Sequence, residues 1–176
     1  MPIVAADIDF HLSGGSGNAD PNASLGGDQS NTQIVDATVE NLFDNVSGDE
    51  GAAGDVEYRC MYIRNAHGSL TLQGATVWKV SPAPATDDEN LVELALDPSG
   101  VTVQGSTDLP EEIVDESTAP SGIVFTEPLT KIGGLVIGDI PFGSVAAVWI
   151  KRTIVAGAQA RSAFTTVIRC EGDTAA

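Results

Sequence analysis

The sequence predicts an all-β fold, an antiparallel β-sandwich of jelly-roll-like form with long polar loops and little helix. Three observations carry that expectation. Short segments alternate apolar and polar residues with a period of two, as half-buried strands do. Clusters of Gly, Pro, Asn and Asp separate those segments at short intervals. No amphipathic stretch of helical period stands between successive strands, which disfavours an alternating strand–helix fold. The 176 residues suffice for one domain, taken here as 1–176, and two would be tight.

The elements follow in chain order. Residues 7–12 put Ile8, Phe10 and Leu12 on one face and Asp7, Asp9 and His11 on the other. Residues 13–27 form a long loop rich in Gly, Asn and Asp. Ordering such a loop without contacts is entropically unfavourable, so it is expected to touch a neighbouring subunit through Gly14, Gly15, Asn18, Asp20, Pro21, Asn22 and Leu25. Residues 32–46 fit two patterns, and the reading adopted is a strand over 32–39 with a helical turn at 41–46. A turn-rich break spans 47–54.

Residues 55–65 give the strongest strand, with Val56, Tyr58, Cys60 and Tyr62 on one face and Glu57, Arg59, Met61 and Ile63 on the other. The chain turns at 65–68 and returns over 69–80, predicting a hairpin or a neighbour in the same sheet. An acidic loop occupies 81–90, and strands follow at 91–97 and 100–104. A second acidic loop runs from Asp108 to Pro120. Ile123 with Phe125, and Leu135 with Ile137, mark short strands. Residues 139–143 turn. Val145, Ala147 and Trp149 alternate in a strand ending at Lys151-Arg152. Phe164, Thr166, Ile168 and Cys170 alternate in the last strand, and 171–176 is a polar tail. The total is eight or nine strands, with Tyr58, Tyr62, Trp78, Trp149 and Phe164 as core aromatics.

The charge narrows the function. Asp and Glu total 25 against 8 Lys and Arg, a formal net charge of −17. Counterion release needs a basic surface, so direct nucleic-acid binding is disfavoured. An anionic membrane surface repels such a chain as well, and no apolar run is long enough to span a bilayer. The N-terminal residues lack the basic and apolar regions of a signal peptide. The acid excess reads either as a self-repelling surface or as adaptation to a high-salt cytoplasm, where cations screen the repulsion; acid-rich, lysine-poor chains resemble proteins of haloarchaea.

Chemistry-bearing patterns are sparse. His11 shares a strand face with Asp7 and Asp9, which reads as a solvated face in preference to a metal site. His67 sits in a turn. No zinc spacing, EF-hand loop, P-loop or dinucleotide pattern is present. Gly14-Gly15-Ser16-Gly17 lacks the closing glycine of a nucleophile elbow. Asp87-Asp88-Glu89 and the run Glu111 to Glu116 read as solvated loops rather than cation sites. A glycosidase-like carboxylate pair is disfavoured by an aromatic content of 5%. Cys60 and Cys170 read as two buried thiols, with a bridge left open. Asn22-Ala23-Ser24 and Asn45-Val46-Ser47 match the glycosylation pattern and are discounted without a secretory signal. The expectation is a non-enzyme with no cofactor and no metal.

Several stretches carry a family resemblance: Leu12 to Gly15, Asp20 to Gly27, Asn41 to Gly48, Glu57 to Asn65, Gly138 to Gly143 and Val148 to Thr153. Together they resemble small virion structural proteins of tailed phages and tailed archaeal viruses. The resemblance runs over nearly the whole chain. It implies a capsid decoration, cement or turret subunit, or else a tail or baseplate subunit, with no catalytic residues, and the acid excess favours the head exterior, away from the packaged genome. Its implied partners are other copies of the chain and other virion proteins, the major capsid protein or tail proteins. A carbohydrate-binding attachment module is the remaining alternative. The acid enrichment and the short polar loop Ala160-Arg161-Ser162 depart from the family pattern, and the former points to a virus of a halophilic archaeon.

Overall fold

The computed structural model describes residues 1–80, 90–160 and 165–174. Its described strands are β1 (Ile8–Leu12), β2 (Asp55–Asn65), β3 (Leu72–Val80), β4 (Asn90–Val103), β5 (Leu135–Ile140), β6 (Ser144–Ile154) and β7 (Val167–Thr174). They build two antiparallel sheets, one in the order β1-β2-β6-β4 and one in the order β5-β3-β7. Helix among the described residues is confined to α1 (Gly48–Ala53) and two 3-10 turns. From β2 onward, consecutive strands alternate between the two sheets.

Period-two alternation explains how the sheets meet. Met61 and Ile63 of β2, Val92 and Leu94 of β4, and Val148 and Ile150 of β6 project from one face of the four-stranded sheet. They join Leu72, Ala75 and Val77 of β3 and Ile140 of β5 in a single buried cluster. The opposite face carries Cys60, Tyr62, Ala95, Val145, Ala147 and Trp149. Loops cover it through Leu25, Ile113, Ile123 and Phe125. The four-stranded sheet is therefore apolar on both faces, which is why its strands read as near-continuous hydrophobic runs.

Several expectations need correction. The β2–β3 pair is not a hairpin, because the two strands lie in different sheets. The Asn65 side chain fixes the crossover by donating to Leu70 O and Ile140 O, both at 2.8 Å. His67 Nδ1 then accepts from the Ser69 and Leu70 amides. Residues 32–39 are not a strand and 41–46 are not a helical turn. Ile34 N donates to Phe10 O at 2.7 Å, but within 32–39 the ladder is limited to a single bridge, His11–Gln33, among the described residues. Ala37 (φ +59°) and Glu40 (φ +56°) then enter the left-handed region, which ends either regular path.

The break at 47–54 contains α1, whose start is a capping box between Ser47 and Glu50. The strands expected at 91–97 and 100–104 are one strand, β4, whose ladder slips between Leu96 and Val101. Pro98 has no amide proton to give, and Gly100 adopts φ +70°, so the slip falls where the chain is built for it. Residues 123–125 form no strand and leave only a bridge from Thr126 to Leu94. Glu171 to Thr174, expected in a polar tail, belong to β7. The acidic stretch 81–89, Arg161, Ser162 and Phe164 lie outside the described residues.

Candidate functional site

One end of β2 and β6 gathers charge inside the fold. Glu57 and Arg152 face each other across the ladder, and Arg59 lies one period further along β2. Glu57 and Arg59 are fully buried, and Arg152 nearly so. Arg152 Nε donates to Glu57, its Nη1 to Asp44 O at 2.7 Å and its Nη2 to Asp44 Oδ1 at 3.1 Å. Arg59 Nε donates to Leu42 O at 3.1 Å, and its Nη2 donates to Asn22 Oδ1 at 3.1 Å and to the carboxylate of Glu116. Phe43 contacts both guanidiniums, with Cζ of Arg152 at 4.8 Å and of Arg59 at 5.3 Å from the ring centroid. Two strand residues thus clamp three loops, around residues 22, 42–44 and 116.

Burial pushes the Glu57 carboxyl above its ordinary range, Arg152 pulls it part of the way back, and Glu116 and Asp44 push it up further. Glu57 Oε1 is buried with no hydrogen-bond partner. One carboxylate oxygen each from Glu50, Asp55 and Glu57 lies within 4.8 Å of the other two. This is the metal-capable cluster among the described residues.

The loop over 13–27 is fastened to its own chain. The buried Ser24 hydroxyl accepts from Ser13 N at 2.8 Å and donates to Cys60 O at 2.7 Å. Cys60 N returns a bond to Ser24 O at 2.8 Å, and Ile113 N donates to Leu25 O at 3.0 Å. Gly14 N and Gly15 N donate to Gly26 O and Asp28 O, and Asn18 Nδ2 donates to Ser13 O. Gly26, at φ +102°, would place a Cβ 1.8 Å from Glu111 O, so only glycine permits this approach. The entropic ground for an intersubunit arm is thereby removed, because the loop is already ordered within the chain. Of its candidate contact residues, Gly14, Asp20 and Asn22 are exposed, while Gly15, Asn18, Pro21 and Leu25 are half-buried.

The remaining candidates are held by the fold. His11 is buried, not on a solvated face, and its Nδ1 lies 3.0 Å from Ser30 O. Asp9 is 4.0 Å from His11, whereas Asp7 accepts from the Val4 amide. Cys60 and Cys170 are free thiols, and Cys170 is half-buried. Burial raises the Cys60 thiol well above its ordinary range and Cys170 to about 12, so both are poor nucleophiles. A shallow cleft of about 480 Å³ is lined by Asp97, Asp108 and Glu111 among others. Asp97 already accepts from Trp149 Nε1 at 2.9 Å and from Ser99 N at 2.9 Å, and Glu111 from Ser121 N at 2.7 Å.

Sequence reasoning placed Glu57 and Arg59 on the Met61–Ile63 face and did not draw the consequence that they are buried. The signal was present: charged residues on the face that a strand otherwise devotes to Met and Ile need partners there. No protein-family model, no curated protein and no solved structure matches the chain.

Proposed function

We propose that this chain is a non-enzymatic structural subunit of a tailed-virus particle, a decoration, cement or turret protein on the head exterior, and that its two sheets close as a jelly-roll-like β-sandwich. The shared cluster of Met61, Ile63, Val148, Leu72 and Val77 supports reading the sheets as two layers of one sandwich. The alternation of consecutive strands between sheets is in keeping with jelly-roll winding.

The observation that carries the functional reading is the fastening of both long loops to the four-stranded sheet. Cys60 N to Ser24 O, Tyr58 N to Glu116 O and Ile113 N to Leu25 O bind loop to strand and loop to loop. A block whose loops are already ordered loses little entropy when it joins a lattice. Gly14, Asp20 and Asn22 then act as a preformed contact patch rather than a flexible arm. The net charge of −17 favours a position away from the packaged genome.

Counting the chain in purified particles by quantitative mass spectrometry tests this. Hundreds of copies per particle are expected. A few dozen would move the protein to the tail or a vertex, and absence from particles would overturn the reading.

A further inference from the structure

Glu50 belongs to α1, while Asp55 and Glu57 occupy the first turns of the pleat of β2. Gly54, at φ +78°, redirects the chain between them. Positions 55 and 57 share a strand face, so the two β2 carboxylates align, and the reversal at Gly54 brings Glu50 to meet them. The capping box fixes Glu50: its Oε2 accepts from Ser47 N at 2.6 Å. Asp55 Oδ1 accepts from Val56 N at 2.7 Å. Each of these two residues retains a second carboxylate oxygen.

A second observation points to a ligand. Glu57 is fully buried, and its Oε1 has no partner, although Arg152 occupies its Oε2. A buried carboxylate oxygen left without a donor is unfavourable unless something positive reaches it. Arg152 gives Nε to Glu57 and turns its other two nitrogens to Asp44, so it leaves Oε1 unpaired.

We infer that Glu50, Asp55 and Glu57 bind one hard divalent cation, with Ca²⁺ preferred. The donors are all oxygens, the kind such ions take. Two oxygens on opposite sides of Ca²⁺ stand at most about 5 Å apart, and on opposite sides of Mg²⁺ about 4.2 Å. The three oxygens lie within 4.8 Å of one another, a span better matched to the longer bonds of the larger ion. Bound there, the ion joins the first turn of α1 to the start of β2 and fills the valence that Arg152 leaves on Glu57. This inference does not depend on the structural-subunit reading.

The full chain, stripped with EDTA and held in about 0.5 M KCl so that screening is constant, is titrated with CaCl₂ by isothermal calorimetry and by thermal melting. One saturable site per chain is expected, with a Tm rise on the order of 5 °C at saturation and a smaller response to MgCl₂. Glu50→Gln keeps the capping box and Asp55→Asn keeps the Val56 contact, so both should fold. Each should weaken Ca²⁺ binding at least tenfold while leaving the calcium-free Tm unchanged or raised. Asp49→Asn, an exposed acid of the same turn, should bind as the parent does. No saturable binding up to about 10 mM Ca²⁺, or undiminished binding in both Glu50→Gln and Asp55→Asn, would overturn the assignment.

Discussion

Replacing Arg152 with methionine should be among the most damaging single changes in this chain. The guanidinium is nearly fully buried, and its carboxylate partner Glu57 is fully buried. Methionine approximates the aliphatic stem but leaves Glu57 without its cation. Stranding one member of a buried ion pair costs about 3–5 kcal/mol. The stacking of Arg152 on Phe43, at 4.8 Å, adds about 0.5–2 kcal/mol at most. Its bond to the Asp44 carboxylate adds little, since that side chain is 43% exposed and screened by water. The expected loss is therefore about 4 kcal/mol, or a Tm fall of roughly 10 °C. Urea denaturation followed through Trp149 fluorescence measures it, with KCl held constant. The double variant Glu57→Leu with Arg152→Met should recover much of the loss, because an apolar pair needs no compensation. A loss below about 1 kcal/mol for Arg152→Met, or a double variant as unstable as the sum of the two single changes, would refute the view that this pair is a mutually dependent buried unit.

Three further outcomes follow from the same structure. Arg59, Arg152, Lys79, Lys131 and Lys151 each already hold a carboxylate, so the net −17 is left to self-repulsion; Tm should rise with KCl as the Debye length shrinks from about 30 Å at 0.01 M to about 3 Å at 1 M, and a flat or falling circular-dichroism melt series would remove both the repulsion argument and the halophile reading. Ser24→Ala should cost about 2 kcal/mol in urea by orphaning Ser13 N and Cys60 O, whereas Ser16→Ala at an exposed position should be silent; deletion of 14–24 should accordingly destabilise the fold itself, and a deletion as stable as the parent would restore the separable-arm idea. Burial lowers the pKa of His11 below its ordinary 6.5, with Arg64 lowering it further and the Ser30 carbonyl and Asp9 raising it. The unfolded chain therefore binds the extra proton first, and stability contributed by neutral His11 is lost as pH falls from about 6.5 through the lower folded pKa. His11→Gln should flatten that part of the stability–pH curve, and an unchanged curve would show that His11 does not titrate differently on unfolding.

Local pattern alone made most strands legible. Residues 55–65 alternate cleanly with aromatic and β-branched side chains, and β2 occupies those residues. The same periodicity located β1, the body of β3 and β6, and the aromatic core at Tyr62, Trp78 and Trp149. The acidic surface and the paucity of helix were likewise settled by composition and pattern. The capping box Ser47-Gly48-Asp49-Glu50 was also written in the sequence, but two flanking glycines and the short length of α1 concealed it.

What the sequence could not decide was which strands would pair and what would cover each face. Alternation says that a strand has two faces, yet it does not say which sheet the strand joins; the crossover from β2 to β3 is set by Asn65 reaching Ile140, a residue distant in sequence. Residues 13–27 carry the composition of a mobile arm, and only their bonds to Cys60 and the Ile113 segment make them part of the wall over the four-stranded sheet. The burial of Glu57 and Arg59 and their partners Arg152, Asp44 and Glu116 depend on contacts across long sequence separations. The carboxylate cluster of Glu50, Asp55 and Glu57 is the reverse case. Its residues are close in sequence, but its chemistry depends on how deeply Glu57 is buried, and that depth is decided by β6 and the 42–44 segment packing against β2. Local sequence determines backbone periodicity because propensity and side-chain alternation are short-range; solvent access to a charged group is a property of everything packed around it, and the tertiary fold sets that.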